Sequence, residues 1–154
     1  EALRFQLDYE TFQNEIKLIE EFPQIFELLL QRGAKVGIIT NGANDNQLRK
    51  INQLGLEKWI APENMLVSEG AGVSKPSKEI FEAMERRMGL SKNDVYYIGD
   101  NFDNDVIGAT AAGWKTIWVN FRNHKTIGQE VSATYVVESP QELLRLVDVL
   151  TIGL

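Results

Sequence analysis

Two periods of apolar spacing alternate along this chain. Short apolar runs read as buried strands: Ala34–Thr40 (AKVGIIT), Asn64–Ser68 (NMLVS), Asp94–Gly99 (DVYYIG), Trp114–Val119 (WKTIWV) and a short Ala133–Val137. Between them the spacing becomes helical. Asn44–Leu54 carries Leu48, Ile51 and Leu54 on one face, and Lys78–Met88 turns Ile80, Phe81, Met84 and Met88 inward. Asp103–Ala112 reads as the next helix, and a last one runs to Leu150 with Ser139 as its N-cap and Pro140 as its first residue. Ser77 is the expected N-cap of the Lys78 helix. Strands that alternate with helices predict parallel strands joined by right-handed crossovers. The expected fold is therefore a three-layer, Rossmann-like α/β sandwich with a mostly parallel sheet.

The first 21 residues break this rhythm. Leu3, Phe5, Leu7, Phe12, Ile16 and Ile19 are scattered through a polar stretch that reads as helical. It leads into a helix at Pro23–Gln31. The chain thus divides into residues 1–21 and an α/β unit over residues 22–154.

Composition narrows the partners. The 154 residues suffice for one domain with a core, and 44% hydrophobic with 25% charged residues is ordinary for a globular protein. A net charge of −6 argues against nucleic acid or an anionic membrane as the main partner. There is no cysteine, hence no disulfide framework or thiolate metal site. With no apolar run long enough to span a bilayer and no signal-peptide pattern at residue 1, a cytoplasmic location is expected.

The chemistry gathers at the strand ends, where parallel sheets bind ligands. Thr40-Asn41-Gly42 offers a hydroxyl and two backbone N–H groups that can bind phosphate oxygens, although a polar turn after a strand is commonly only a turn. Lys75, in Ser74-Lys75-Pro76, is a compact cation suited to a phosphoryl group; most lysines are solvated surface residues. Asp100 and Asp105, in Gly99-Asp100-Asn101-Phe102-Asp103-Asn104-Asp105, supply hard oxygen ligands of the kind Mg²⁺ takes. Asp103 equally fits a carboxylate that favours a helix N-terminus. A calcium loop fails, because Val106 stands where its glycine is needed and Ala112 where its glutamate is needed.

Three segments in this order resemble the motifs of haloacid-dehalogenase-type (HAD) phosphohydrolases. GIITNG is similar to the second motif, with Thr40 as the phosphate-binding hydroxyl. GVSKPSKEIF is similar to the third, with Lys75 as its lysine. YIGDNFDNDVIGA is similar to the fourth, with Asp100 as direct Mg²⁺ ligand and Asp105 as supporting carboxylate. The resemblance covers roughly residues 22–122, and the three motifs together are specific where each alone is not. It implies attack on a small phosphorylated substrate by an aspartate, through an aspartyl-phosphate, with Mg²⁺ and lysine neutralising the transferring group. Thr40 and Lys75 are the catalytic candidates in this chain. Thr40, Asn41, Gly42 and Lys75 are the phosphate-binding candidates, and Asp100 and Asp105 the metal candidates.

The family's first motif, Asp-x-Asp at the end of a central strand, has one upstream counterpart: Leu7-Asp8-Tyr9-Glu10-Thr11. It departs from the pattern. Glutamate replaces the second aspartate, the glycine is absent, and the threonine comes one residue early. Arg4 and Gln6 interrupt the apolar run before it. Residues 1–21 are therefore expected to be the end of a helical cap, with the nucleophile aspartate outside this chain. The central slot, between the Ala34 and Asp94 strands, is expected to lack its strand. A cleaved N-terminal segment or a second copy would fill it, or the flanking strands would pair directly.

The alternative function is a phosphate- and Mg²⁺-binding fragment that does not turn over. A phosphoacceptor signalling domain fails on the order Thr40, Lys75, Asp100. Dehalogenation shares the fold, but the acidic fourth motif favours metal chemistry. Gly70-x-Gly72 lacks the rest of a dinucleotide fingerprint. His124, in the basic loop Arg122–Lys125, reads as a solvated loop residue. Trp114 and Trp118 read as strand or core aromatics.

Overall fold

The computed structural model describes residues 2–5, 18–126 and 128–154, with the backbone alone for residues 2–5. In chain order the elements are β1 (Ala2–Phe5), α1 (Glu21–Gln31), β2 (Lys35–Thr40), α2 (Asn44–Leu54), β3 (Met65–Val67), α3 (Ser68–Ala71), α4 (Lys78–Met88) and β4 (Val95–Gly99). A π-helical stretch, Phe102–Ile107, runs into α5 (Gly108–Ala111). β5 (Lys115–Val119), β6 (Tyr135–Val137) and α6 (Pro140–Leu150) follow.

The strands form one six-stranded parallel sheet in the order β3-β2-β1-β4-β5-β6. Strand order reverses between β1 and β4, the topological switch point where such sheets bind ligands. Period-two alternation sends successive strand residues to opposite faces. Val36 and Ile38 of β2 and Tyr96 and Ile98 of β4 join Phe22, Ile25, Phe26 and Leu29 of α1 and Leu143 and Val147 of α6 in one apolar cluster. Ile39, Val95 and Tyr97 join Ile80, Phe81, Met84 and Met88 of α4 and Ala109 of α5 in the other. These are the expected three layers.

The expected vacancy in the sheet is corrected. Residues 2–5 form β1 in the central slot, with Leu3 opposite Val36 on one side and Tyr96 on the other. An open slot there would leave the backbone donors and acceptors of β2 and β4 without partners inside the sheet, and β1 satisfies them. The helical reading of the first residues accordingly fails at residues 2–5. Asp8 and Glu10, with the rest of residues 6–17, lie outside the described residues.

Two local readings also change. The buried face of α2 carries Gln47 (8% exposed) where Leu48 was expected, and Leu48 is 48% exposed. The reason is a hydrogen bond described below. Ser77 stands at the N-cap of α4, but its hydroxyl bonds the Glu79 side chain and makes no cap bond; Ser139 caps α6 as expected, accepting from the Glu142 N–H at 3.2 Å. Among the described residues no helix is long and apolar enough to cross a membrane.

Candidate active site

All three polar segments lie at the carboxyl edge of the parallel sheet, beside the switch point. β2 ends in buried Thr40, and β4 ends in Gly99 followed by half-buried Asp100. With β1 between them, these two strand ends stand about 10 Å apart, two strand spacings.

Lys75 reaches this edge from the loop between α3 and α4, and its peptide bond to Pro76 is cis. It is not a solvated lysine. Its Nζ lies 2.8 Å from Asp105 Oδ1, with the two side chains 0% and 1% exposed. It also donates to the Tyr97 hydroxyl at 3.1 Å, and that hydroxyl donates to the Ile39 carbonyl at 3.1 Å. A buried ammonium is tolerable only with such a counter-charge and satisfied hydrogens.

Asp105 is held as tightly. Its Oδ2 accepts from the Asn101 N–H at 3.0 Å. Asn101 caps the stretch that follows, with Oδ1 accepting from the Asn104 N–H at 2.9 Å. Here the structure differs from the expected α-helix: the first turns are π-helical, a geometry that recurs at functional sites. Gly99 makes room for this arrangement, because a Cβ there would run into the Asp105 carboxylate. Asp100 is fixed from the far side, its carbonyl accepting from Trp118 Nε1 at 2.9 Å, and Phe102 packs edge-on against the Trp118 ring with centroids 5.0 Å apart.

The Thr40-Asn41-Gly42 turn is braced by its neighbours. The Asn41 side chain pairs with the main chain of Lys75: Nδ2 donates to Lys75 O at 3.0 Å, and Lys75 N donates to Oδ1 at 2.9 Å. Gln47 Nε2 donates to the Asn41 carbonyl at 2.6 Å, which draws this polar residue into the buried face of α2. The Gly42 N–H, expected to face a phosphate, donates to Ser68 Oγ at 2.9 Å. Glu69 Oε2 accepts from the Asn44 N–H at 2.5 Å.

The structure therefore brings Thr40, Asn41, Lys75, Asp100 and Asp105 to one rim. Asp103 is exposed beside it. His124 is exposed too, and its N–H donates to Asn120 Oδ1 at 2.8 Å. Trp114 and Trp118 are buried. Sequence reasoning missed Tyr97, Gln47 and Ser68. A tyrosine inside a buried strand run needs a partner for its hydroxyl, and that was the available signal for Tyr97. Nothing local marks the other two.

The donor set can be tested against Mg²⁺, which takes one or two protein carboxylates and keeps several waters. No group of three His, Cys, Asp or Glu side chains able to hold a metal stands among the described residues. Asp100, a half-buried carboxylate on the rim, fits as a direct ligand. Asp105 has one oxygen on Lys75 and the other on Asn101, so it fits as a support that orients the loop and the lysine.

The sequence profile described as "Haloacid dehalogenase-like hydrolase" matches residues 3–119. The glyceraldehyde 3-phosphate phosphatase of Methanocaldococcus jannaschii is 29% identical over 141 residues, covering 89% of this chain and 61% of that protein. The pyrimidine 5'-nucleotidase YjjG of Escherichia coli is 33% identical over 118 residues, covering 76% and 51%. Among solved structures, the putative HAD-hydrolase YfnB from Bacillus subtilis bound to magnesium superposes with a TM-score of 0.74 at 28% identity, covering 84% of this chain and 56% of that one. The chain thus spans about half the length of the proteins it matches.

Proposed function

The chain belongs to the haloacid dehalogenase-like hydrolase family, and on that premise we propose that its rim is the phosphate- and Mg²⁺-handling half of a phosphatase acting on a small phosphorylated metabolite. One observation carries the reading: Thr40, the buried Lys75–Asp105 pair and Asp100 converge at the switch point of a parallel sheet. The relatives' names, a triose-phosphate phosphatase and a nucleotidase, support the substrate class.

In this reading Thr40 Oγ1 donates to a phosphoryl oxygen. The Lys75 ammonium offsets negative charge on the transferring group, and Asp105 keeps that ammonium charged and aimed. Asp100 would hold Mg²⁺, which supplies Lewis-acid neutralisation of the phosphoryl oxygens. Preorganisation is the chain's main contribution, since the Lys75 and Asp105 side chains and the Asp100 main chain are fixed before substrate arrives.

The phosphoryl group is accepted by an aspartate outside the described residues. One reading puts that aspartate outside this chain, because Leu7–Thr11 departs from the family pattern, but β1 already occupies the central slot its strand would need. A second reading is favoured by β1, which pairs in register on both sides of the central position: Asp8 follows its last residue by three and would be the acceptor. One assay separates them, phosphate release from p-nitrophenyl phosphate with Mg²⁺. Release that is lost in Asp8→Asn assigns the acceptor to Asp8. Binding of inorganic phosphate without release assigns it elsewhere and leaves a binding fragment. A chain that neither binds nor releases phosphate contradicts the proposal.

A further inference from the structure

The Asn41 side chain does not face outward as a ligand would; both ends of its amide are spent on the main chain of a residue 34 positions away. Oδ1 accepts from Lys75 N–H while Nδ2 donates to Lys75 O, the pairing a neighbouring strand would make. The reciprocal pattern also fixes which amide atom is which, since exchanging them would set donor against donor. Asn41 is itself gripped by Gln47, whose Nε2 lies 2.6 Å from its carbonyl oxygen. Gln47 accepts a cost for this. Its Oε1 is buried and has no hydrogen-bond partner among the described residues, an arrangement that persists only against a compensating gain. Gly42 serves the same contact, since a Cβ at this residue, with φ +144°, would overlap the Gln47 side chain.

We propose that Gln47 and the Asn41 side chain are positioning residues for Lys75, a strut running from α2 through the end of β2 to the lysine's main chain. The proposal rests on the phosphate-handling reading of the site. Lys75 is then fixed twice, at its backbone by Asn41 and at its ammonium by Asp105 and Tyr97. The strut couples the Thr40 turn to the lysine, so a phosphate held by the turn meets an ammonium already in place.

The test uses the 154-residue chain and NMR of Lys75, reading its backbone amide and its ammonium, with the latter assigned by its loss in Lys75→Arg. Inorganic phosphate is titrated alongside in the presence of Mg²⁺. Asn41→Ala is expected to shift both Lys75 signals and weaken phosphate binding about tenfold, the worth of one or two lost hydrogen bonds. Gln47→Met is expected to shift the same signals by less. Asn41→Asp keeps the acceptor for Lys75 N–H but sets a carboxylate oxygen against Lys75 O and adds negative charge beside the phosphate site. It should therefore shift the Lys75 signals and weaken phosphate binding at least as far as Asn41→Ala. Thr40→Val weakens phosphate binding and leaves the Lys75 ammonium signal where it was, a split that general loosening of the fold would not produce. Should Asn41→Ala fail to fold, Asn41→Asp and Gln47→Met carry the comparison. Folded variants with unmoved Lys75 signals overturn the strut. A wild-type chain that binds no phosphate counts against the function proposed above and leaves the Lys75 comparison intact.

Discussion

Neutralising Asp105 removes the counter-charge of a buried ammonium, and the structure sets the size of the effect. The pair is 2.8 Å apart with both side chains out of solvent, so water cannot replace the lost carboxylate charge. Removing one partner of such a pair costs about 3–5 kcal/mol, a large part of the roughly 5–15 kcal/mol that holds a domain together. For a chain of this size that lowers the melting temperature by roughly 6–20 °C. Asp105→Asn and Lys75→Met should each show a loss of this order in urea unfolding. The double variant should lose less than either single, because it buries no unpaired charge and the introduced amide would keep an acceptor for the Asn101 N–H. If the two losses simply add, or if Asp105→Asn costs under about 1 kcal/mol, the ion pair does not hold Lys75 as described.

Gly99→Ala would drive a methyl into the Asp105 carboxylate; a loss of about 1–3 kcal/mol in unfolding and a weakened affinity for Mg²⁺ are expected. Trp118→Phe deletes the donor to the Asp100 carbonyl, and should cost about 1 kcal/mol in urea unfolding while leaving ring packing against Phe102 largely intact. The Ser77 hydroxyl holds the Glu79 carboxyl below its ordinary value. A lowered folded-state value means that this contribution to stability is complete above the unfolded-state value and fades as pH falls through the folded-state one. NMR titration of Glu79 should move upward in Ser77→Ala, and no movement would refute the assignment.

Much of the fold was legible because buried parallel strands leave continuous apolar runs and their helices leave a 3.6-residue period. The Asn44–Leu54 and Lys78–Met88 boundaries match the observed helices for that reason. The site was legible as to location, since strand ends and polar turns coincide at Thr40 and Asp100. What escaped has physical causes. Arg4 made β1 read as non-strand, yet a central slot between two paired strands fixes backbone, and side-chain pattern is a weaker guide there. Leu48 outranked Gln47 on hydropathy, but a single amide-to-carbonyl bond to Asn41 decided which of the two turned inward. The π-helical turn after Asn101 follows a loop whose polar bonds, made by Asn101 and Asp105, periodicity does not encode. Ser68 meets Gly42 only through the β2–β3 pairing, which brings distant turns together.

The central claim, that Thr40, Lys75 and Asp100 form one site for a metal-bound phosphate, is met most directly by a crystal structure of the chain grown with Mg²⁺ and tungstate as a phosphate mimic. The account predicts the oxyanion within hydrogen-bond distance of Thr40 Oγ1 and Lys75 Nζ, with the metal on the Asp100 carboxylate. Tungstate bound elsewhere while these three side chains carry only water would contradict it.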